Sequence, residues 1–432
     1  MTGATPRGVG GGTRCRRVPR PAPAAGSLRP SDLLAVFFAA GIGFLLAGAV
    51  VAAVSAATDW EPGHWLALHL VFVGGISQLV LGAGQFFAGA FLATDPPSRW
   101  LVRLQLATWN AGTLLVAAGV PGDVAVATIA GAGLLAAGLA GFLLGLEGLR
   151  KRSLQRAPWA VRWYEASACF LGVGVLAGVL LATRAHWPWG SLVGAHMALN
   201  LAGWFGTAIV GTLHTFFPSL TQTQLRFARL QRPTFAAWAL GTGALAAGFG
   251  FAAKPLVLAG WLALILAAAL LCANLVASLR ATSAGLSLPS RLLTLAQGCL
   301  VLGLAVALAD ALTGSALAPP MTSTRMALAA LLLPGWLGLT VLGSLLHLLG
   351  VLARVRDFRQ PLPAPEPVRD RSLVAIAAGG VLGLAVARSQ DLALLDAVAT
   401  GALLASYGAL GMLVLSRAAR AQRARPPGIR LR

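Results

Sequence analysis

Six histidines punctuate this chain: His64, His69, His186, His196, His214 and His347. Neutral imidazole is a ligand for haem iron and for copper. His196 stands in a stretch that runs from Gly194 through Asn200, Gly203, Trp204, Gly206 and Thr207 to Gly211, His214 and Pro218. That stretch is apolar enough to span a bilayer, and an ionisable side chain in a membrane helix faces an interior or a cavity. On a regular α-helix His196, Asn200, Gly203, Thr207 and His214 fall within an arc of roughly 60°. They form one narrow polar, small-residue seam. His196 and His214 lie at its two ends, about 27 Å apart along the axis.

An internal repeat relates the other histidines to this pair. Gly203-Trp204-x-Gly206-x4-Gly211 matches Gly335-Trp336-x-Gly338-x4-Gly343, and Gly74 and Gly82 repeat the same glycine spacing earlier in the chain. Measured from the shared first glycine, His69 and His196 differ in depth by about 3 Å, and His214 and His347 by about 1.5 Å. Four histidines thus fall into an outer layer (His69, His196) and an inner layer (His214, His347), with Gln85 in the inner place of the earliest repeat. Two histidines at one depth on different helices suit one metal ion or the two faces of a haem. The alternative is that each bonds a neighbouring helix and binds nothing. Asn200 reads as a helix–helix hydrogen bond. His64 and His186 fall at or outside the outer boundary, where they could ring an entrance.

The elements that carry these residues are membrane spans. The chain has 432 residues, 57% of them apolar and 11% charged, with a mean hydropathy of +0.78. Such values belong to a polytopic membrane protein. Twelve apolar segments are expected, near 31–57, 63–93, 99–120, 123–148, 159–183, 189–217, 233–252, 254–279, 291–314, 323–353, 372–388 and 391–416. Turn residues separate them, among them Pro96-Pro97, Pro121-Gly122, Pro188, Pro255 and Pro319-Pro320. Residues 1–30 read as a disordered basic cytoplasmic arm, 31–418 as the membrane domain and 419–432 as a basic cytoplasmic tail. The inner loop 354–371, with its four prolines, is a linker at most. Span 1 is too long for the apolar core of a signal peptide and reads as uncleaved. The repeat divides the spans into three four-helix units, each with its special helix second.

A formal charge of +20 could suggest nucleic acid, but here the charges lie between apolar spans. With the N-terminus inside, 29 of the 33 Lys and Arg residues fall on the cytoplasmic side, leaving Arg184, Lys254, Arg325 and Arg388 outside. This is the positive-inside pattern. It argues for a multi-pass protein of a bacterial inner membrane with both termini cytoplasmic, whose first partner is the lipid bilayer. Cys15, Cys169, Cys272 and Cys299 have no paired spacing and suggest neither a disulfide framework nor a zinc site. Glu147 with Arg150 and Lys151, and Arg162 with Glu165, read as helical salt bridges. Asp310, Asp391, Asp396 and Asn110 complete the polar set. Carboxylates are nearly missing from the expected midplane, which argues against a proton pump or proton-driven carrier.

The segment His196-x3-Asn200-Leu201-x-Gly203-Trp204, continuing to Gly211 and Phe217-Pro218, resembles a membrane helix of the haem–copper oxidase catalytic-subunit superfamily. Nitric-oxide-response haem–copper membrane proteins are similar in size and span number. The resemblance implies twelve helices in three four-helix arcs, with His69 at a haem-ligand position and His196 at a copper-ligand position. It implies a role in respiration, nitric oxide handling or copper handling, with a redox partner protein. The match covers the architecture of the whole chain but only spans 2 and 6 in motif. Span 7 has no histidine, span 10 has none at its outer end, and span 6 has no tyrosine. Any enzyme built on this frame would be an oxidoreductase with an incomplete haem–copper site. The rival readings are a transporter and a metal-free structural partner of a redox complex. A carrier of two six-helix halves would show a long loop after span 6 and a repeat near half the chain, and this chain shows neither.

Overall fold

The computed structural model describes residues 28–154, 158–283, 285–314, 317, 322–357 and 366–424. Nearly all of the expected basic arm, Cys15, Pro319-Pro320, the middle of the proline-rich loop and most of the basic tail lie outside the described residues. The described chain is helical, with no strand among the described residues. Its rods are α1 (Pro30–Thr58), α2 (Glu61–Leu92), α3 (Arg99–Gly119), α4 (Ala125–Arg152), α5 (Pro158–Ala182) and α6 (Trp189–Leu220). Then follow α7 (Gln231–Gly250), α8 (Lys254–Ala281), α9 (Leu288–Leu312), α10 (Ser323–Arg356), α11 (Pro367–Gln390) and α12 (Ala393–Arg423). Ten helices among the described residues are long and apolar enough to cross a membrane. α3 and α7, of 21 and 20 residues, stand outside that set.

α3 with α4, α7 with α8 and α11 with α12 form hairpins that cross in the same way. A Cβ placed on Gly112 would lie 2.8 Å from the Gly131 carbonyl oxygen. One on Gly241 would lie 3.0 Å from that of Gly260, and one on Gly380 3.2 Å from that of Ala399. Only a missing side chain lets the two backbones come this close. Each hairpin turns through a left-handed residue: Asp123, Ala252 and Asp391, all at φ 52°. The next amide then bonds back to the end of the first helix, Val124 to Gly119 at 2.8 Å, Ala253 to Gly248 at 2.7 Å and Leu392 to Ala387 at 3.0 Å. These are Schellman closures.

Among the described residues, three stretches open into π-helix: Leu70–Ile76 in α2, Ala198–Gly206 in α6 and Leu331–Gly338 in α10. All three contain the glycine shared by the repeat. In α10, Pro334 has no N–H to give, and its ring would clash with the carbonyl four residues back in a regular helix. The wider turn relieves both problems. Each opened segment turns a carbonyl aside to an aromatic donor from another helix. Trp109 Nε1 of α3 donates to the Val73 carbonyl and Trp238 Nε1 of α7 to the Ala202 carbonyl, both at 2.9 Å. The Tyr407 hydroxyl of α12 donates to the Pro334 carbonyl. Val73, Ala202 and Pro334 each precede the shared glycine. Buried backbone carbonyls need a partner, and here aromatic side chains supply it.

The repeat glycines do not line the centre of the bundle. Gly74 and Gly203 face the helix before their own, and Gly335 lies between α9 and α11. A Cβ on Gly74 would meet Phe44 of α1 at 2.5 Å, one on Gly203 Phe170 of α5 at 2.6 Å, and one on Gly335 Val381 of α11 at 2.8 Å and Cys299 of α9 at 3.1 Å. Gly82, Gly211 and Gly343 repeat this one step inward, against Phe37, Trp163 and Leu293. Large side chains on the neighbouring helix fill the hollows that the glycines leave. The centre is lined by other faces of the same helices: Ile76 and Val80 of α2, Ala208 and Thr212 of α6, and Thr340 and Ser344 of α10 surround a cavity of about 90 Å³.

Candidate metal centre

The polar seam of α6 packs onto α5. Gly174 and Gly178 of α5 let the two helices approach, so that Asn200 and His196 lie directly against them. His196 Nδ1–H donates to the Gly174 carbonyl at 2.9 Å. Asn200 Nδ2–H donates to the His196 carbonyl of its own helix at 2.7 Å, rather than across to another helix. His69 Nδ1–H donates to the Trp65 carbonyl at 2.8 Å, and its ring stacks on the Trp65 indole with centroids 3.8 Å apart. A carbonyl on Nδ1 places the proton there and leaves the lone pair on Nε2. Among the described residues, neither Nε2 has a hydrogen-bond partner. Each ring of the outer pair is held by one backbone carbonyl.

The two rings of the inner pair have different aromatic partners. His214 is 1% exposed, far from the interfacial water expected at a helix end. Its Nδ1–H donates to the Val210 carbonyl at 2.8 Å, and its Nε2 has no partner. Its ring faces Trp163 of α5 at 5.7 Å. His347 lies instead against Phe216 at 5.3 Å. Phe216 and His214 are two positions apart on one helix, hence on nearly opposite faces, about 200° around. His64 and His186 are exposed, and His64 Nδ1 lies 3.1 Å from Ser55 Oγ.

Gln85, placed in the inner histidine layer by the repeat, pairs with Gln105 of α3 at 3.0 Å. One step outward, Gln78 donates to Asn110 at 3.1 Å. These buried amides join α2 to α3. Glu147 holds Arg150 at 2.5 Å and Lys151 at 3.4 Å, as helical spacing requires. Arg162 lies over the Trp159 indole, 5.3 Å from its centroid, and not against Glu165. Asp310 of α9 is paired with Arg325 of α10 at 3.4 Å.

Sequence reasoning missed the aromatic donors. Trp109 and Trp238, and with them Gly112 and Gly241, are 129 residues apart, as are Gly74 and Gly203. That common offset was a readable signal. Tyr407 carried none, because it stands 73 residues after the carbonyl it meets, whereas Trp109 and Trp238 stand 36 after theirs. No group of three His, Cys, Asp or Glu side chains that could hold a metal forms among the described residues. The chain matches no protein-family model and no curated protein.

Proposed function

We propose that this is a twelve-span membrane protein of three four-helix units, similar to the haem–copper oxidase group, and that His69 and His196 together hold one copper ion. The observation that carries the reading is that both imidazoles, placed at one depth by the repeat, have Nδ1–H on a backbone carbonyl and Nε2 without a partner among the described residues. Ligating histidines are oriented by such a bond on the other ring nitrogen. Copper fits this donor set better than haem does. Two nitrogens suffice to hold a small ion, whereas a porphyrin needs a slab of space between them. No histidine lines any of the three cavities described for the molecule. Bound copper would supply one-electron redox chemistry. The protein's own part is to fix the two rings through the Trp65 and Gly174 carbonyls. The role we assign is copper-dependent redox chemistry or copper handling.

Support for twelve spans comes from the hairpins. α3–α4 and α7–α8 cross and close as α11–α12 does, and both members of that hairpin are long and apolar enough to span. Reporter fusions at Pro121 and Pro188 should read outside and one at Ser153 inside. A reversal at two of these sites removes the topology.

Elemental analysis of protein purified from copper-replete cells tests the cofactor. The wild type should carry copper, and His69→Ala or His196→Ala should lose it. A Soret band lost in the same variants would replace copper by haem. A folded wild-type preparation with neither group overturns both and leaves the structural or transport readings.

A further inference from the structure

The three four-helix groups meet at three junctions, and one of them is left open. At the first, α4 packs on α5 over α2. A Cβ on Gly84 of α2 would lie 3.1 Å from Tyr164 of α5 and 3.2 Å from Phe142 of α4. At the second, α8 packs on α9 over α6. At the third, α12 and α1 both lie against α10 but scarcely meet each other. Between them runs a groove of about 250 Å³. Its floor is Leu349 and Leu352 of α10, each 3% exposed. Its walls are mostly small: Ala35 and Ala39 on α1, Ala418 and Ala419 on α12. Ala39 is exposed, so the groove opens sideways to the bilayer.

Arg356 of α10 closes one end of the groove and lines it. Its guanidinium donates to Asp32 of α1 and to the Ala421 carbonyl of α12, both at 3.2 Å. Those bonds use two of the five N–H donors that an arginine carries. The side chain is 19% exposed. The same end is strongly basic. Arg29 begins α1, Arg354 and Arg356 end α10, and Arg420 and Arg423 end α12, against Asp32 and Asp357.

We propose that this groove holds one anionic phospholipid, with its phosphate on Arg356 and an acyl chain along Ala35, Phe38, Ala39 and Ile42. Basic pockets between membrane helices take anionic headgroups. Asp32 holds the guanidinium across the end of the groove, and the surplus of arginines favours a net negative headgroup over a zwitterionic one. From Ala35 to Ile42 the groove runs about 10 Å along α1. That lies within one leaflet, about half of the roughly 30 Å hydrocarbon core, whereas a partner's spanning helix would need a seam along the whole core. The lipid would supply at the third junction the contact that α4–α5 and α8–α9 make directly.

The test is native mass spectrometry of the full chain in detergent, titrated with phosphatidylglycerol and, separately, with phosphatidylcholine of the same acyl chains. One phosphatidylglycerol should be retained, about tenfold more tightly than phosphatidylcholine. Arg356→Met keeps the apolar stem and removes the fork, and should weaken phosphatidylglycerol binding about tenfold. Ala39→Leu narrows the groove without touching an ion pair. It serves if the first variant does not fold, and it too should weaken binding. No retained lipid, equal affinity for the two lipids, affinity unchanged by Ala39→Leu, or displacement of the lipid by soluble glycerol phosphate would each overturn the proposal.

Discussion

In α6 the indole of Trp204 gives its N–H to Ser77, while the matching indole of Trp336 in α10 meets no acceptor and faces a cavity. The two helices otherwise share much. Both open into π-helix over the same Gly-Trp pair, both press their later glycine, Gly211 or Gly343, against the preceding helix, and both receive an aromatic donor at the residue before the shared glycine. They differ in what surrounds that frame. α6 carries His196 and Asn200 toward glycines of α5, whereas the position matching His196 on α10 is Leu328. One helix seats its polar seam against a neighbour. The other keeps the same backbone and leaves room beside it. The same local geometry can therefore serve a packed site or an open one.

The largest difference should be in metal. His196→Ala should empty the site of copper by elemental analysis, while Leu328→Ala on α10 should leave the copper content unchanged. Retention of copper in the first variant would remove the chemical contrast between the helices.

Next comes packing. Gly203→Ala sets a methyl 2.6 Å from Phe170 Cβ, an atom fixed to the α5 backbone. It should cost about 3 kcal/mol of stability in a denaturation series. Gly335→Ala meets Val381 Cγ1 at 2.8 Å, the end of a side chain, with Cys299 a little further off. It should cost about 1 kcal/mol. Equal costs would mean that α5 gives way as readily as Val381 does.

Ser77→Ala turns α6 toward the state of α10 by leaving Trp204 without its acceptor. A loss of about 1–2 kcal/mol is expected in the same assay. The smallest effect belongs to Trp336→Phe, which removes a donor that has no partner. It should change stability by less than about 0.5 kcal/mol, whereas Trp204→Phe should cost about 1 kcal/mol. A large loss at Trp336 would show that its N–H is satisfied within the protein.

The helical rods were legible from apolar length and turn residues, because both follow from bilayer thickness and backbone chemistry. The pairing of Gly203-Trp204 with Gly335-Trp336 was legible as well, and it located all three helices that open into π-helix. The opening itself was not. Leu70–Ile76 and Ala198–Gly206 have no proline, and what stabilises them is the donor from Trp109 or Trp238, more than thirty residues away. The direction of the seam was misread for a related reason. His196, Asn200 and Gly203 do share a face, but periodicity cannot say which neighbour it meets. Gly174 and Gly178 of α5 decide that, by being small enough to let α6 in. The direction in which His69 points depends on the rotation of α2, which the glycines of that helix fix only through Phe44 and Phe37 of α1.

Each wide turn also behaves like an edge dislocation in a crystal. It accommodates about one residue more than the regular lattice of the helix, and everything beyond it is out of phase by that amount. Deleting a single residue between Ala198 and Gly206 would anneal the defect into an ordinary α-helix. The outer half of α6 would then turn by about 100° relative to the inner half, carrying His196 away from the Gly174 carbonyl while the inner half kept its place. Because the three defects surround the shared glycines of α2, α6 and α10, they lie at one level in the bundle. That level is a slip plane between the halves that carry His69 and His196 and the halves that line the central cavity.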